Sequence, residues 1–210
     1  RMGTEKAMAG GLMALARGDG GAAAEATRQA RRKLPHAALP RLMAAQAALI
    51  DNRPDDAAAN YHAMLADTMP MAQKSLGLEG LYHLARAKGD IEAAGTCALQ
   101  VLEVDAKALW ALDGLTALAV QIGDWAAVES WLRRWGRAGV PRAQVKQRRA
   151  VLALAEAQAL LADSDPAAPL EAAQPAEKAA ALDDRLVPAI ALAARPKMKN
   201  GKSKSPHKLS

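Results

Sequence analysis

Two copies of one unit lie between Leu76 and Val140 and fix what this chain can fold into. They read Leu78-x-x-Leu81-Tyr82-x-x-Ala85-x-x-x-Gly89-Asp90 and Leu112-x-x-Leu115-Thr116-x-x-Ala119-x-x-x-Gly123-Asp124, with the Gly-Asp pairs 34 residues apart. Apolar residues at steps of three and four share one face of a helix. Gly supplies the left-handed residue that closes that helix, and Asp caps the next. A second apolar-periodic run follows each pair. One such hairpin cannot bury its apolar face alone, so the repeat predicts helical hairpins stacked on their neighbours.

Around these units the chain divides at the same period. The first pair of runs is Glu5 to Arg17 and Ala22 to Leu34, joined at Gly18-Asp19 and closed by Pro35. The second is Leu39 to Ile50 and a run to about Ala66, with Asp51-Asn52-Arg53-Pro54-Asp55 in place of Gly-Asp. Pro141 restarts the pattern with a longer helix, about Arg142 to Ala162, whose extra turns carry Lys146, Arg148 and Arg149. Taking Gly18, Arg53, Gly89, Gly123 and Ser164 as equivalent turn positions gives spacings of 35, 36, 34 and 41. Pro169 and Pro175 interrupt the last second helix, because proline breaks or kinks a helix interior. A sixth first helix begins at Val187-Pro188 and is predicted to stop at Arg195-Pro196. The expectation is an all-α fold, a right-handed solenoid of about five degenerate hairpins and a partial sixth over residues 1–194, with a disordered basic tail over 195–210.

Composition agrees with helices and narrows the partners. Aromatic residues make up only 3%, Phe is absent, and alanine, the strongest helix former, does much of the packing. The formal charge of +6 equals the six basic residues of the tail, Arg195, Lys197, Lys199, Lys202, Lys204 and Lys208, so the body is near neutral. Arg28, Arg31, Arg32 and Lys33 stand late in their helix, where cations complement the negative end of its dipole. No aromatic stacking residue accompanies them, and no nucleic-acid partner is expected. Cys97 is the only cysteine, which excludes an intrachain disulfide.

Motifs for chemistry are missing. There is no Gly-rich phosphate loop, paired-cysteine motif or His-Glu-x-x-His. The histidines His36, His62, His83 and His207 fall on different elements, so neither a metal site nor catalysis is expected.

The period, with Leu81, Gly89, Asp90 and Ala94 in one unit and Gly18, Asp19, Ala23 and Pro35 in another, resembles tetratricopeptide repeats. More narrowly, Gly11-Leu12-Met13-Ala14-Leu15-Ala16-Arg17-Gly18-Asp19, Ala44-Ala45-Gln46-Ala47-Ala48-Leu49, Ala108-Leu109-Trp110-Ala111-Leu112, Gly123-Asp124-Trp125 and Arg148-Arg149-Ala150-Val151-Leu152 are similar to HemY-type proteins of proteobacteria. That resemblance implies two transmembrane helices upstream of Arg1, a place at the bacterial inner membrane, an association with haem biosynthesis and a mitofilin-like membrane protein or haem-pathway enzyme as partner. It implies a non-catalytic scaffold holding a protein segment in a concave groove. The groove positions of the repeat fall on Met43, Glu79, His83, Arg86, Trp110, Asp113, Gln121 and Gln158. Glu79, His83 and Arg86 are spaced to share one helix face, and Trp110 is of the type enriched in interface hot spots. The alternative the resemblance implies is a haem or porphyrin carrier, with His83 or His62 as ligand. His62 stands at a position expected to be buried, and so reads first as a core histidine. A third expectation is homo-assembly through the uncapped Val187, Ile190 and Leu192 of the incomplete last unit.

Overall fold

The computed structural model describes residues 2–35, 37–66, 69–162 and 167–200. His36, His207, the predicted turn at 163–166 and the tail beyond 200 lie outside the described residues. Within them the chain is all-helical, with no strand. The helices are α1 (Met2–Ala16), α2 (Gly20–Lys33), α3 (Ala38–Ile50), α4 (Pro54–His62), α5 (Met71–Lys88), α6 (Ile91–Val104), α7 (Leu109–Ile122), α8 (Trp125–Arg137), α9 (Arg142–Ala162), α10 (Ala168–Glu171), α11 (Ala173–Leu182) and α12 (Val187–Asn200). None is long and apolar enough to cross a membrane.

The turns between paired helices share one geometry. Gly18, Gly89 and Gly123 take φ of +74°, +76° and +74°. In each, the following Asp donates its N–H five residues back, to Ala14, Ala85 and Ala119, each at 2.9 Å, which satisfies a carbonyl the helix end would leave orphaned. Each Asp then accepts from the third residue of the next helix, at 2.8 to 2.9 Å. In the second hairpin the left-handed residue is Asn52, at φ +55°, and Arg53 N–H reaches Ala48 at 2.7 Å. The turn position taken as Arg53 therefore belongs to Asn52, because Asn tolerates a left-handed backbone better than other residues with a side chain. Arg53 replaces the missing cap with ion pairs to Asp51, at 3.0 Å, and Asp56, while Pro54 opens α4. Gly89 has open space around it, so Gly89→Val is expected to cost about 1–2 kcal/mol through backbone strain alone. Asn52→Gly should be neutral or slightly stabilising, and urea unfolding of the two variants checks the opposite signs.

The described helices form two compact units, divided between Gly114 and Leu115. In the first, each helix packs on the next from α1 to α6, and α1 also meets α3, as α3 meets α5. Glycines let these helices approach. A Cβ on Gly80 would stand 2.3 Å from the Tyr61 ring, one on Gly11 2.4 Å from the Met43 methyl, and one on Gly114 2.7 Å from Tyr82. The helix after Pro54 is shorter than expected, since α4 ends at His62 and a 3-10 turn, Ala63–Leu65, follows.

In the second unit α9 packs against α8, α10, α11 and α12. Along α8, Val128, Leu132 and Trp135 are buried, and Trp125 is half-buried. The interruption expected at the prolines is present, with Pro169 and Pro175 in the first turns of α10 and α11, where a missing N–H costs little. α12 continues past Arg195-Pro196 to Asn200, beyond the predicted stop, at the loss of the bond Pro196 cannot donate. Of the face expected to be uncapped, Val187 and Ile190 are exposed, but Leu192 packs against the Ala157, Ala172 and Ala176 cluster.

Glu129 ties three helices of this unit together. It accepts Arg149 through both oxygens, at 2.9 and 3.2 Å, and Lys178 at 3.5 Å. Burial pushes the nearby Glu156 carboxyl above its ordinary value, Lys178 opposes that shift, and the Glu129 charge adds to it. A carboxyl raised in the folded state stabilises fully below its unfolded value, and that contribution is lost as pH rises through the folded one. Glu156→Gln is therefore expected to unfold at a higher urea midpoint than the parent at neutral pH, with the difference vanishing in acid.

Candidate functional site

Helix α5 owes its position to its small residues. Gly77 and Gly80 lie against Tyr61 of α4, and Tyr61 is buried with its hydroxyl accepting from Gln46 Nε2 at 2.9 Å. Burial raises the Tyr61 hydroxyl above its ordinary value, against the Gln46 bond, and the Glu79 carboxylate adds to the rise. With one face of α5 so fixed, Glu79 is half-buried while His83 and Arg86 are exposed.

Tyr82 joins these residues to α7. Its ring stands 5.2 Å from His83, edge to face, and 5.6 Å from Trp110. Arg86 Nη1 donates to its hydroxyl at 3.5 Å. Tyr82 is 6% exposed and can lie against α7 only because Gly114 has no side chain. His83, Arg86 and the half-buried Trp110 thus stand around one buried ring, with Glu79 one turn before His83 and Asp113 one turn beyond Trp110. Sequence reasoning placed Tyr82 in the core and missed this joining role. Its signal was Gly114, which leaves room for a large side chain from the preceding first helix.

The other expected groove residues stand elsewhere. Met43 is 1% exposed and fills the space that Gly11 leaves, so it cannot line a groove. Gln121 and Gln158 are exposed but belong to the second unit.

His62 is exposed rather than a core histidine, because Tyr61 and Met64 take the buried positions where α4 tightens into its 3-10 turn. It borders a cleft of about 470 Å³ with Leu65, Leu78, Leu81 and Cys97, rimmed by Asp90 and Glu92. Burial pushes the Cys97 thiol up, and the Asp90 charge adds to it, which disfavours the nucleophilic thiolate. Among the described residues no three His, Cys, Asp or Glu side chains converge as a metal ion would require.

No protein-family model matches this chain, and no curated protein matches it. The reading of its function therefore rests on the residues.

Proposed function

We propose that this chain is a non-catalytic scaffold of tetratricopeptide-like hairpins, the repeat region of a HemY-like membrane-anchored protein, and that it holds a protein segment against α5 and α7. The observation that carries the reading is the grouping of exposed His83 and Arg86 with half-buried Trp110 around the buried ring of Tyr82. An aromatic platform beside a guanidinium, with carboxylates one turn away, is the residue mixture that dominates binding energy at protein interfaces. Tyr82 holds the platform rigid, so little ordering is required on binding.

Selection of peptides from a random library on the immobilised chain tests this. Enriched peptides are expected to lose on the order of tenfold or more in affinity with Trp110→Ala and with Arg86→Ala. They should keep it with Arg133→Ala, an exposed arginine of the second unit. Peptides indifferent to both groove substitutions, or no enrichment, would remove the reading.

Haem carriage is the competing proposal, and the cleft beside His62 suits it better than the surface around His83. The apolar floor and one imidazole fit a porphyrin. Its rim does not, since Asp90 and Glu92 present carboxylates where the porphyrin's own carboxylates need cations. The protein-binding reading is therefore preferred.

A further inference from the structure

We infer that the corner between α2 and α3 is a binding site for a phosphate group, held by Arg31, Arg32 and Arg41. An open cleft of about 490 Å³ there is lined by Arg28, Arg31, Arg32, Pro35 and Arg41. Arg28 pairs with Glu25 in a salt bridge, and Arg32 feels the same carboxylate without a direct contact. Among the described residues no carboxylate lies within salt-bridge distance of Arg31, Arg32 or Arg41.

The arginines of α2 alone have an ordinary explanation, since they stand in its last turns, where the helix dipole favours cations. Arg41 does not share it. It sits in the first turn of α3, the positive end of that helix, where a cation is disfavoured. That turn has no acidic residue, and Ala37 before it makes no side-chain cap. Arg41 Nη2 donates to the Pro35 carbonyl at 3.2 Å, but its Nε is buried with no acceptor. A buried N–H left unpaired is costly, and Arg41 lines the same open cleft as Arg31 and Arg32. Phosphate oxygens match the planar fork of arginine in both geometry and charge.

Two sources could supply the phosphate, a soluble phosphate ester or a lipid headgroup. Leu34 and Leu39 flank the corner, 40% and 43% exposed, and would enter a bilayer surface if the source is lipid.

Titration of the full chain with sodium pyrophosphate, and its sedimentation with vesicles of phosphatidylcholine with or without phosphatidate, test the site. The triple variant Arg31→Gln, Arg32→Gln, Arg41→Gln is expected to weaken whichever binding is seen by tenfold or more. The tail variant Lys199→Gln, Lys202→Gln, Lys204→Gln removes the same charge and should leave pyrophosphate binding unchanged. Arg41→Lys keeps the charge but loses the Nε donor, and should weaken binding several-fold without disturbing the fold. Binding of both probes assigns a soluble phosphate ester. Binding of phosphatidate vesicles alone, lost with Leu34→Ser and Leu39→Ser, assigns a headgroup. No saturable binding of either probe, or an equal loss in the two triple variants, overturns the inference.

Discussion

Tyr61→Ala is expected to lower the stability of the first unit by about 3–5 kcal/mol, as for other large aromatic residues removed from a packed core. Tyr61 is 2% exposed and lies where α3, α4 and α5 meet, bonded to Gln46 on one side and pressed on Gly77 and Gly80 on the other. The converse change, Gly80→Ala, puts a methyl 2.3 Å from a buried ring that Gln46 tethers by its hydroxyl, and should cost about 1–3 kcal/mol. In the double variant the second cost should largely disappear, since the ring that the methyl would strike is gone. Urea unfolding of the four proteins gives the cycle, and strict additivity would show that the two residues do not press on each other.

In the second unit the largest effect is expected at Leu132. It is 1% exposed and forms, with Ala119 and Val128, the core between α7 and α8. Leu132→Ala should cost about 2–5 kcal/mol, depending on how far its neighbours close the cavity. Ile122 is 62% exposed, and Ile122→Ala should change stability by no more than about 0.5 kcal/mol. For a chain of this length each kcal/mol moves the thermal midpoint by about 2–4 °C, so calorimetry separates the two variants readily.

Most of the helices were legible because their ends carry chemistry that acts within a few residues. Gly-Asp marks a closing turn and a cap together, and α9 runs over the very residues expected of it. Asn52 was passed over because its left-handed backbone is written in a residue that serves many other purposes. Burial was less legible than helicity. Met43 looked like a groove residue because its partner, Gly11, lies on another hairpin, and no local pattern records the match. His62 was expected in the core for a related reason, since the tightening after α4 moves the inward face onto Tyr61 and Met64. Glu79, His83, Arg86, Trp110 and Asp113, expected on two successive repeats, fall within one compact unit, and the shared exposure of His83 and Arg86 on α5 follows from their spacing on an unbroken helix. The convergence of Arg41 with Arg31 and Arg32 needed the fold, since charges on different helices meet only through the turn between them.

The contacts between successive first helices in the first unit carry a consequence for how such a chain can grow. Gly11 stands seven residues before its turn residue and receives Met43, nine before its own, whereas Tyr82, seven before, is received by Gly114, nine before. The same pair of positions is filled small then large at one junction, and large then small at the other. A copy of one hairpin spliced beside the wrong neighbour would set bulk against bulk or leave a void. These hairpins are keyed to their order like the wards of a lock, so lengthening the chain by duplication demands compensating changes at both junctions of the insert.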